Sequence, residues 1–314
     1  LIRDNPAMAI AKYIKVIGRG KDGARALSRE QAADLFGQVL DGAVTDLEIG
    51  AFCLAMRIKG ETAEEMAGFL DATDSRLHKI PAGPRPLVVI PSYNGARKLP
   101  VLTPLLALLL AREGLAVLVH GAASESSRVF TSGVLEALGI PAAQRVEPVH
   151  GGQVMFTPTA LLCPGLQKLL EVRRVVGLRN PAHSLVKLMN PGAGTSLIVS
   201  SYTHPEYALS MAATFALTGA NAMLLRGTEG EAVADPRRTP RIELFLQGQR
   251  QTLQEAKSGS LEALPTLPQD IDPASTAAYI RAVLAGASPV PTPIATQVAH
   301  IVLAEKQLQQ EMRP

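Results

Sequence analysis

PRPLVVIPSYNGARKLPVLTPLLALLLAREGLAVLVHG, residues 84–121, is the stretch on which the fold of this chain turns. Leu87-Val88-Val89-Ile90 is a β-branched apolar run bounded by Pro86 and Pro91, too short for an isolated helix, and it predicts a buried strand. Leu102 to Ala111 predicts a helix, and Ala116-Val117-Leu118-Val119 a second strand of the same kind. A strand, a helix and a strand in succession place the two strands in parallel, because the right-handed crossover packs the helix back onto the sheet. Such a sheet is covered on both faces, so its strands are continuously apolar instead of alternating.

Toward the C-terminus the same texture continues. Val175-Val176, Ser196 to Ser200 and Ala222 to Leu225 predict further strands, with a helix at Ser210 to Leu217 before the last and a strand near Met155. After Gly248 the alternation fades; Ser288 to Pro293 is proline-rich and Ala295 to Leu308 predicts a final helix. Toward the N-terminus the reading is helical throughout. Ala7 to Ile17 carries an apolar face that Gly18 to Gly23 ends, and Ser28, Thr45 and Thr62 are each followed three residues on by Gln31, Glu48 and Glu65, the capping-box spacing. The expected fold is α/β: a small N-terminal helical domain, residues 1–80, completed by hinge and crossing segments, and a larger α/β domain, residues 81–314, with a mainly parallel central sheet.

No run reaches eighteen uninterrupted apolar residues; Leu99 to Leu115 comes nearest and is broken by Pro100, Pro104, Arg112 and Glu113, so no membrane span is expected. Cys53 and Cys163 are too few for a disulfide scaffold or a zinc site, which points to a reducing, cytoplasmic setting. The net charge of +3 conceals an uneven distribution. Residues 91–257 hold 16 basic and 11 acidic side chains, whereas residues 1–90 balance at 12 of each and residues 258–314 hold 3 and 5. Tryptophan is absent and aromatics make up 4%, which disfavours a base-stacking platform; a nucleic-acid partner would be held through phosphates.

Three longer phrases carry a resemblance. LSREQAADLFGQVLDG at 27–42, IGAFCLAMRIKGETAEEMAGF at 49–69 and VLVHGAASESSRVFTSGVLEALGI at 117–140 resemble the anthranilate phosphoribosyltransferase family, from about Ala7 to Leu246. The resemblance implies a nucleoside phosphorylase/phosphoribosyltransferase-like arrangement that dimerises through its helical domain. It also implies three ligand signatures, each altered here. Where the family carries a GTGGD loop whose N–H groups receive a pyrophosphate, this chain reads Pro91-Ser92-Tyr93-Asn94-Gly95, with one glycine and with Tyr93 expected where the diphosphate would lie. Where the family reads HGNRxxSS, His120, Gly121, Ser126 and Ser127 match, but Ala122 and Ala123 replace Asn and Arg and Glu125 adds negative charge. Where an Asp-Glu pair after a GxDG turn would hold Mg²⁺, Gly227 to Glu231 keeps the turn and Ala232 and Val233 replace the pair. Glu229 and Glu231 have two readings, cation ligands or a solvated loop. These losses predict no catalytic residue, no metal and no cofactor, and leave Ser92, Asn94, Gly95, His120, Ser126 and Ser127 as residual phosphate-site positions. With PSYNGARKLP at 91–100 and SSYTHPEY at 200–207, the chain resembles the YbiB-type branch of the family, which implies nucleic-acid binding in place of phosphoribosyl transfer.

The cations give that implication candidate residues. Lys168, Arg173, Arg174, Arg179 and Lys187 stand against Glu171 alone between Pro164 and Asn190. Arg97 and Lys98 follow the altered loop, Arg128 precedes a helix, Arg226 ends a strand, and Arg237, Arg238 and Arg241 lie in a proline-bracketed loop. For Arg173 and Arg174 two readings stand, a tie from the hinge to a carboxylate or the lining of a phosphate-binding groove. Tyr93, Tyr202 and Tyr207 are either stacking residues or packed rim residues. The expected activity is non-sequence-specific DNA or RNA binding by a homodimer, because no motif places side chains on base edges. The other reading is a phosphoribosyltransferase using phosphoribosyl pyrophosphate and Mg²⁺ with an altered acceptor. Ser126, Ser127 and His120 lack a GxSxG elbow, His150-Gly151-Gly152 reads as oxyanion-binding N–H groups or as a loop before the strand near Met155, His183 and His204 lack a partner at metal spacing, and Cys163 has no neighbour that would lower its pKa.

Overall fold

The computed structural model describes residues 10–20, 22–122 and 127–312. The N-terminal part consists of α1 (Ala11–Ile17), α2 (Arg29–Leu40), α3 (Asp46–Lys59) and α4 (Ala63–Asp74). Ser28, Thr45 and Thr62 are the N-caps of the last three, and each forms the reciprocal capping box its spacing predicts. The third box also joins elements. Glu65 is buried and accepts the Thr62 N–H at 3.0 Å, the Leu27 N–H at 2.9 Å and the Lys59 ammonium at 2.6 Å. Phe36 stacks on Phe69 with ring centroids 4.6 Å apart, and Phe52 meets both edge-on, so the helices close around an aromatic centre.

The rest of the chain forms β1 (Leu87–Ser92), α5 (Thr103–Arg112), β2 (Ala116–Gly121), α6 (Thr131–Ala137), β3 (Val154–Pro158), α7 (Thr159–Leu162), α8 (Pro164–Val176) and α9 (Ala182–Leu185), then β4 (Ser196–Tyr202), α10 (Pro205–Thr218), β5 (Ala222–Thr228), β6 (Glu231–Ala234), β7 (Ile242–Leu246), β8 (Gln249–Gln254), α11 (Pro273–Leu284) and α12 (Thr292–Glu311). The sheet runs β3-β2-β1-β4-β5-β7-β8, with β6 paired to β5. Its first five strands are parallel, and β6, β7 and β8 add antiparallel pairs. Alternate residues serve opposite faces: Leu87 and Val89 join one core with Phe36, Leu166 and Phe215, while Val88 and Ile90 join the other with Leu105, Ile280 and Ile301. Helical and sheet regions therefore share one apolar core.

Val175-Val176 is not a strand. It is the last turn of α8, whose Leu166, Leu169 and Leu170 bury one helical stripe; Val175 itself is 89% exposed and left-handed Gly177 ends the helix. A two-residue β-branched signal yields to a helical period that starts eleven residues earlier. The hairpin β7–β8 lies where the sequence texture fades. Gln247 and Gly248 turn it with φ of 48° and 78°, and β8 is a polar, exposed edge strand without the apolar run that marks a buried one.

Candidate functional site

The carboxyl ends of the parallel strands meet the loop after β1 and the turn between β5 and β6. The loop crosses close beneath the segment before α6: Ala96 and Val129 exchange backbone hydrogen bonds at 2.8 and 3.0 Å, and a Cβ on Gly95, whose φ is 65°, would lie 2.8 Å from the Val129 carbonyl oxygen. Across from it the turn holds Glu229 at φ 52° and Gly230 at φ 90°. A Cβ on Gly230 would collide with the Asn94 amide, so glycine permits the two segments to touch.

That contact sets two carboxylates on backbone donors. Glu231 Oε1 accepts the N–H groups of Asn94 and Gly95, each at 2.8 Å, while Oε2 accepts the Ser92 hydroxyl and, at 3.1 Å, the Thr103 hydroxyl. The Thr131 hydroxyl lies 2.7 Å from Ser92 Oγ and closes the cluster. Glu231 and these hydroxyl residues are buried. Glu229 Oε2 accepts three successive N–H groups, from Arg97, Lys98 and Leu99, at 3.0, 3.1 and 3.3 Å. Converging backbone N–H groups of this kind form an anion cradle, and here the chain's own carboxylates fill it. Both sequence readings of Glu229 and Glu231, cation ligand and solvated loop, give way to this arrangement.

The residues do not fit the Mg²⁺ that the family resemblance implies. Both carboxylates face N–H and O–H donors, Ala232 and Val233 are each 1% exposed within β6, and the described residues contain no cluster of three or more His, Cys, Asp or Glu.

Tyr93 also departs from expectation. Its side chain turns into the protein, away from the loop mouth, with the hydroxyl 2.8 Å from His120 Nδ1 and 2.8 Å from Thr159 Oγ1. It neither fills a diphosphate seat nor presents a ring for stacking. His120 is fully buried, which lowers its pKa to about 3 and keeps the imidazole neutral. Among the residual phosphate-site positions, Ser92, Asn94 and Gly95 hold Glu231, Ser127 is exposed, and Ser126 lies outside the described residues.

Of the proposed cations, Arg97, Lys98, Lys168, Arg174, Arg226 and Arg238 are exposed. Arg97 and Lys98 flank Glu229, Arg128 donates to the Gly95 carbonyl at 3.4 Å, and Arg237 feels Glu229 while binding Asp235 at 2.9 and 3.0 Å. These residues share one rim. Lys187 does not present its charge outward. Its ammonium donates to the Gly230 carbonyl at 2.8 Å, and burial depresses its pKa to about 8 despite the nearby Glu231. Arg226 opposes Tyr202 across β4 and β5, beside Arg241 and Arg250, which both pair with buried Glu243. Lys168, Arg173 and Arg174 sit on α8, a different element.

Between the helical and sheet regions lies a cavity of about 400 Å³. Met56 and Met66 form part of its apolar wall; Arg179, Lys187, His183 and Tyr202 bring polar atoms to it. Its volume lies in the range of small-molecule sites. Ser201, Tyr202 and Thr203, from the SSYTHPEY phrase, line it too, so Tyr202 is a wall residue there.

Comparison with known proteins decides the lineage. The family described as glycosyl transferase family, helical bundle domain, matches residues 11–76. The uncharacterized protein YbiB of Escherichia coli strain K12 is 42% identical over 309 residues, spanning 95% of this chain and 94% of that one. This chain belongs to the anthranilate phosphoribosyltransferase-like family. Within it, the similarity to YbiB along nearly the whole length agrees with the YbiB-type branch. Anthranilate phosphoribosyltransferase of a Nocardioides species is 32% identical over 65% of this chain, which spans 61% of that enzyme. The crystal structure of the same-named enzyme from Thermus thermophilus superposes with a TM-score of 0.73 at 25% identity, covering 96% of this chain and 90% of that one. The yeast enzyme in complex with PRPP and Mg, at 14% identity and a TM-score of 0.67, shares the fold.

Within this family fold, the residues that sequence reading misses are the ones that hold the turn. Thr103 and Thr131 contribute hydroxyls from helix starts, and Ser201 donates to the Gly230 carbonyl at 2.9 Å, which it shares with Lys187, a residue the sequence did single out. A Glu-Gly-Glu turn beside a glycine-containing loop is the available signal; only the fold shows that the two segments meet.

Proposed function

We propose that this chain binds the phosphate backbone of DNA or RNA with little sequence preference, as a homodimer, and does not transfer phosphoribosyl groups. One observation carries the reading: the Asn94 and Gly95 N–H groups, where a phosphoribosyltransferase loop would receive a diphosphate, are already taken at 2.8 Å by Glu231. With that seat filled, the exposed Arg97 and Lys98 present their charge to phosphates from outside, beside Arg128, which donates to the Gly95 carbonyl, and Arg237, which pairs with Asp235. The proposed dimer face is on α3. Leu47, Leu54 and Ile58 are 81%, 47% and 67% exposed at spacings of seven and four, one stripe of that helix. A dimer would place two cationic rims on one ligand and raise avidity without new contacts.

The interdomain cavity favours a second reading, a phosphoribosyltransferase with an altered acceptor, since Arg179 and Lys187 offer cations beside an apolar wall. Titration separates the two. Fluorescent single- and double-stranded oligonucleotides are expected to bind with affinity falling as salt rises, at a slope of roughly −0.7 to −0.9 per phosphate contact. Phosphoribosyl pyrophosphate with Mg²⁺ is expected to show no saturation. The reverse pair of results would establish the transferase reading.

A further inference from the structure

The two internal carboxylates differ in how firmly they are held. Glu231 is 2% exposed and satisfied by two backbone N–H groups and buried hydroxyls, whereas Glu229 is only half-buried and binds through one oxygen. Its backbone occupies the left-handed region at φ 52°, a conformation that glycine adopts more readily than glutamate. Three N–H groups on one oxygen, at 3.0, 3.1 and 3.3 Å, leave the second oxygen of Glu229 outside the cradle. Arg97 and Lys98, whose N–H groups hold Glu229, have exposed side chains, and the charge of Arg237 is within reach of Glu229. A phosphate group offers the same N–H groups an anionic oxygen, and its remaining oxygens would be open to the exposed Arg97 and Lys98 side chains.

We propose that the N–H groups of Arg97, Lys98 and Leu99 form a phosphate-binding site for which Glu229 is a displaceable internal occupant, while Glu231 is a permanent one. The ligand chemistry is a phosphate oxyanion; a free pyrophosphate and a polynucleotide backbone are its two sources. The polynucleotide source rests on the proposed function, the site itself does not. Displacing Glu229 exchanges one anion for another on the same donors, so the gate would oppose weak anions and yield to clustered phosphates.

The test compares full-length wild type with Glu229→Gly, which opens the cradle and suits a left-handed backbone, and Glu229→Gln, which keeps the shape without the charge. Glu113→Gln, an exposed position between α5 and β2 at the opposite end of the strands, sets the effect of losing any one acid. Inorganic pyrophosphate is titrated by thermal shift at constant ionic strength, and labelled oligonucleotides by anisotropy. Glu229→Gly is expected to gain a saturable pyrophosphate stabilisation that wild type and Glu113→Gln lack. It is also expected to bind oligonucleotides about fivefold more tightly near 0.1 M salt, the effect of one added phosphate contact, with Glu229→Gln between. Gain with pyrophosphate alone supports the site and removes the polynucleotide as its ligand; gain with oligonucleotide alone also supports it. If neither Glu229 variant differs from Glu113→Gln with either probe, the site is overturned, and wild-type oligonucleotide binding then stands or falls separately as the test of the proposed function. Should Glu229→Gly fail to fold, Glu229→Gln decides on the same criteria.

Discussion

The carboxylate of Glu231 and the backbone N–H of Gly95 meet at 2.8 Å across 136 residues of chain, one of the hydrogen bonds that join the altered phosphate loop to the altered metal turn. Two segments that in a phosphoribosyltransferase would each face ligand here face one another. The glutamate of one turn satisfies the backbone donors of the other.

Removing that carboxylate should be costly. Glu231→Ala leaves two backbone N–H groups and buried hydroxyls without an acceptor, and is expected to lose at least about 3 kcal/mol in urea-induced unfolding. Glu231→Gln keeps one carbonyl oxygen for the N–H groups and should lose less. A Glu231→Ala protein as stable as wild type would mean that water replaces the carboxylate without cost.

The exposed rim should carry salt-dependent binding. Arg97→Ala and Lys98→Ala are each expected to weaken single-stranded oligonucleotide binding for all sequences alike, and to reduce the salt slope by roughly 0.7 for every phosphate contact removed. Arg174→Ala, on α8, tests whether the binding surface extends to a second element. Lys187→Ala should leave the slope unchanged, because its ammonium is engaged with the Gly230 carbonyl at 2.8 Å. Equal slopes for wild type and Arg97→Ala would remove that residue from the interface.

Lys187 also predicts a pH dependence. Burial holds its folded-state pKa at about 8, below the value of roughly 10.4 expected in the unfolded chain. Between these values the unfolded state binds more protons, so this residue makes stability rise with pH over that window, by up to about 1.4 kcal/mol per pH unit. Below pH 8 its burial penalty is fully present. Unfolding curves from pH 7 to 10.5 should therefore show the rise in wild type and its absence in Lys187→Met.

The α3 stripe predicts the assembly. Ile58→Glu and Leu54→Glu each place a charge on an already exposed position, so they should leave the far-ultraviolet circular dichroism unchanged. Sedimentation should report a dimer for wild type and a monomer for the variants. A wild-type monomer, or a dimer that tolerates both charges, would move the interface elsewhere.

Much of the fold is legible from local chemistry. Ser28, Thr45 and Thr62 announce helices because a cap is satisfied within four residues, and Leu87 to Ile90 announces a buried parallel strand because its apolar run has no polar alternate. The failures have equally local causes. Val175-Val176 misleads because two β-branched residues say less than the helical period running into them, and the polar edge strand β8 carries no burial signal.

The sequence by itself determined the capped N-terminal helices, the first parallel strands, the family, and the alteration of each ligand signature, since all of these are written in neighbouring residues. The tertiary structure alone decided what replaced them. Gly95 and Glu231 lie 136 positions apart, and no periodicity or spacing brings a carboxylate to a backbone N–H over that distance. It follows only from the parallel sheet, which gathers the carboxyl ends of β1 and β5 on one rim, and from Gly95 and Gly230, whose missing side chains let the two turns touch. The same geometry turned Tyr93 and Lys187 inward and left Arg97 and Lys98 outside: in the sequence the three cations read as candidates for one ligand and Tyr93 as a stacking or a packed residue, and burial divides them into structure and surface.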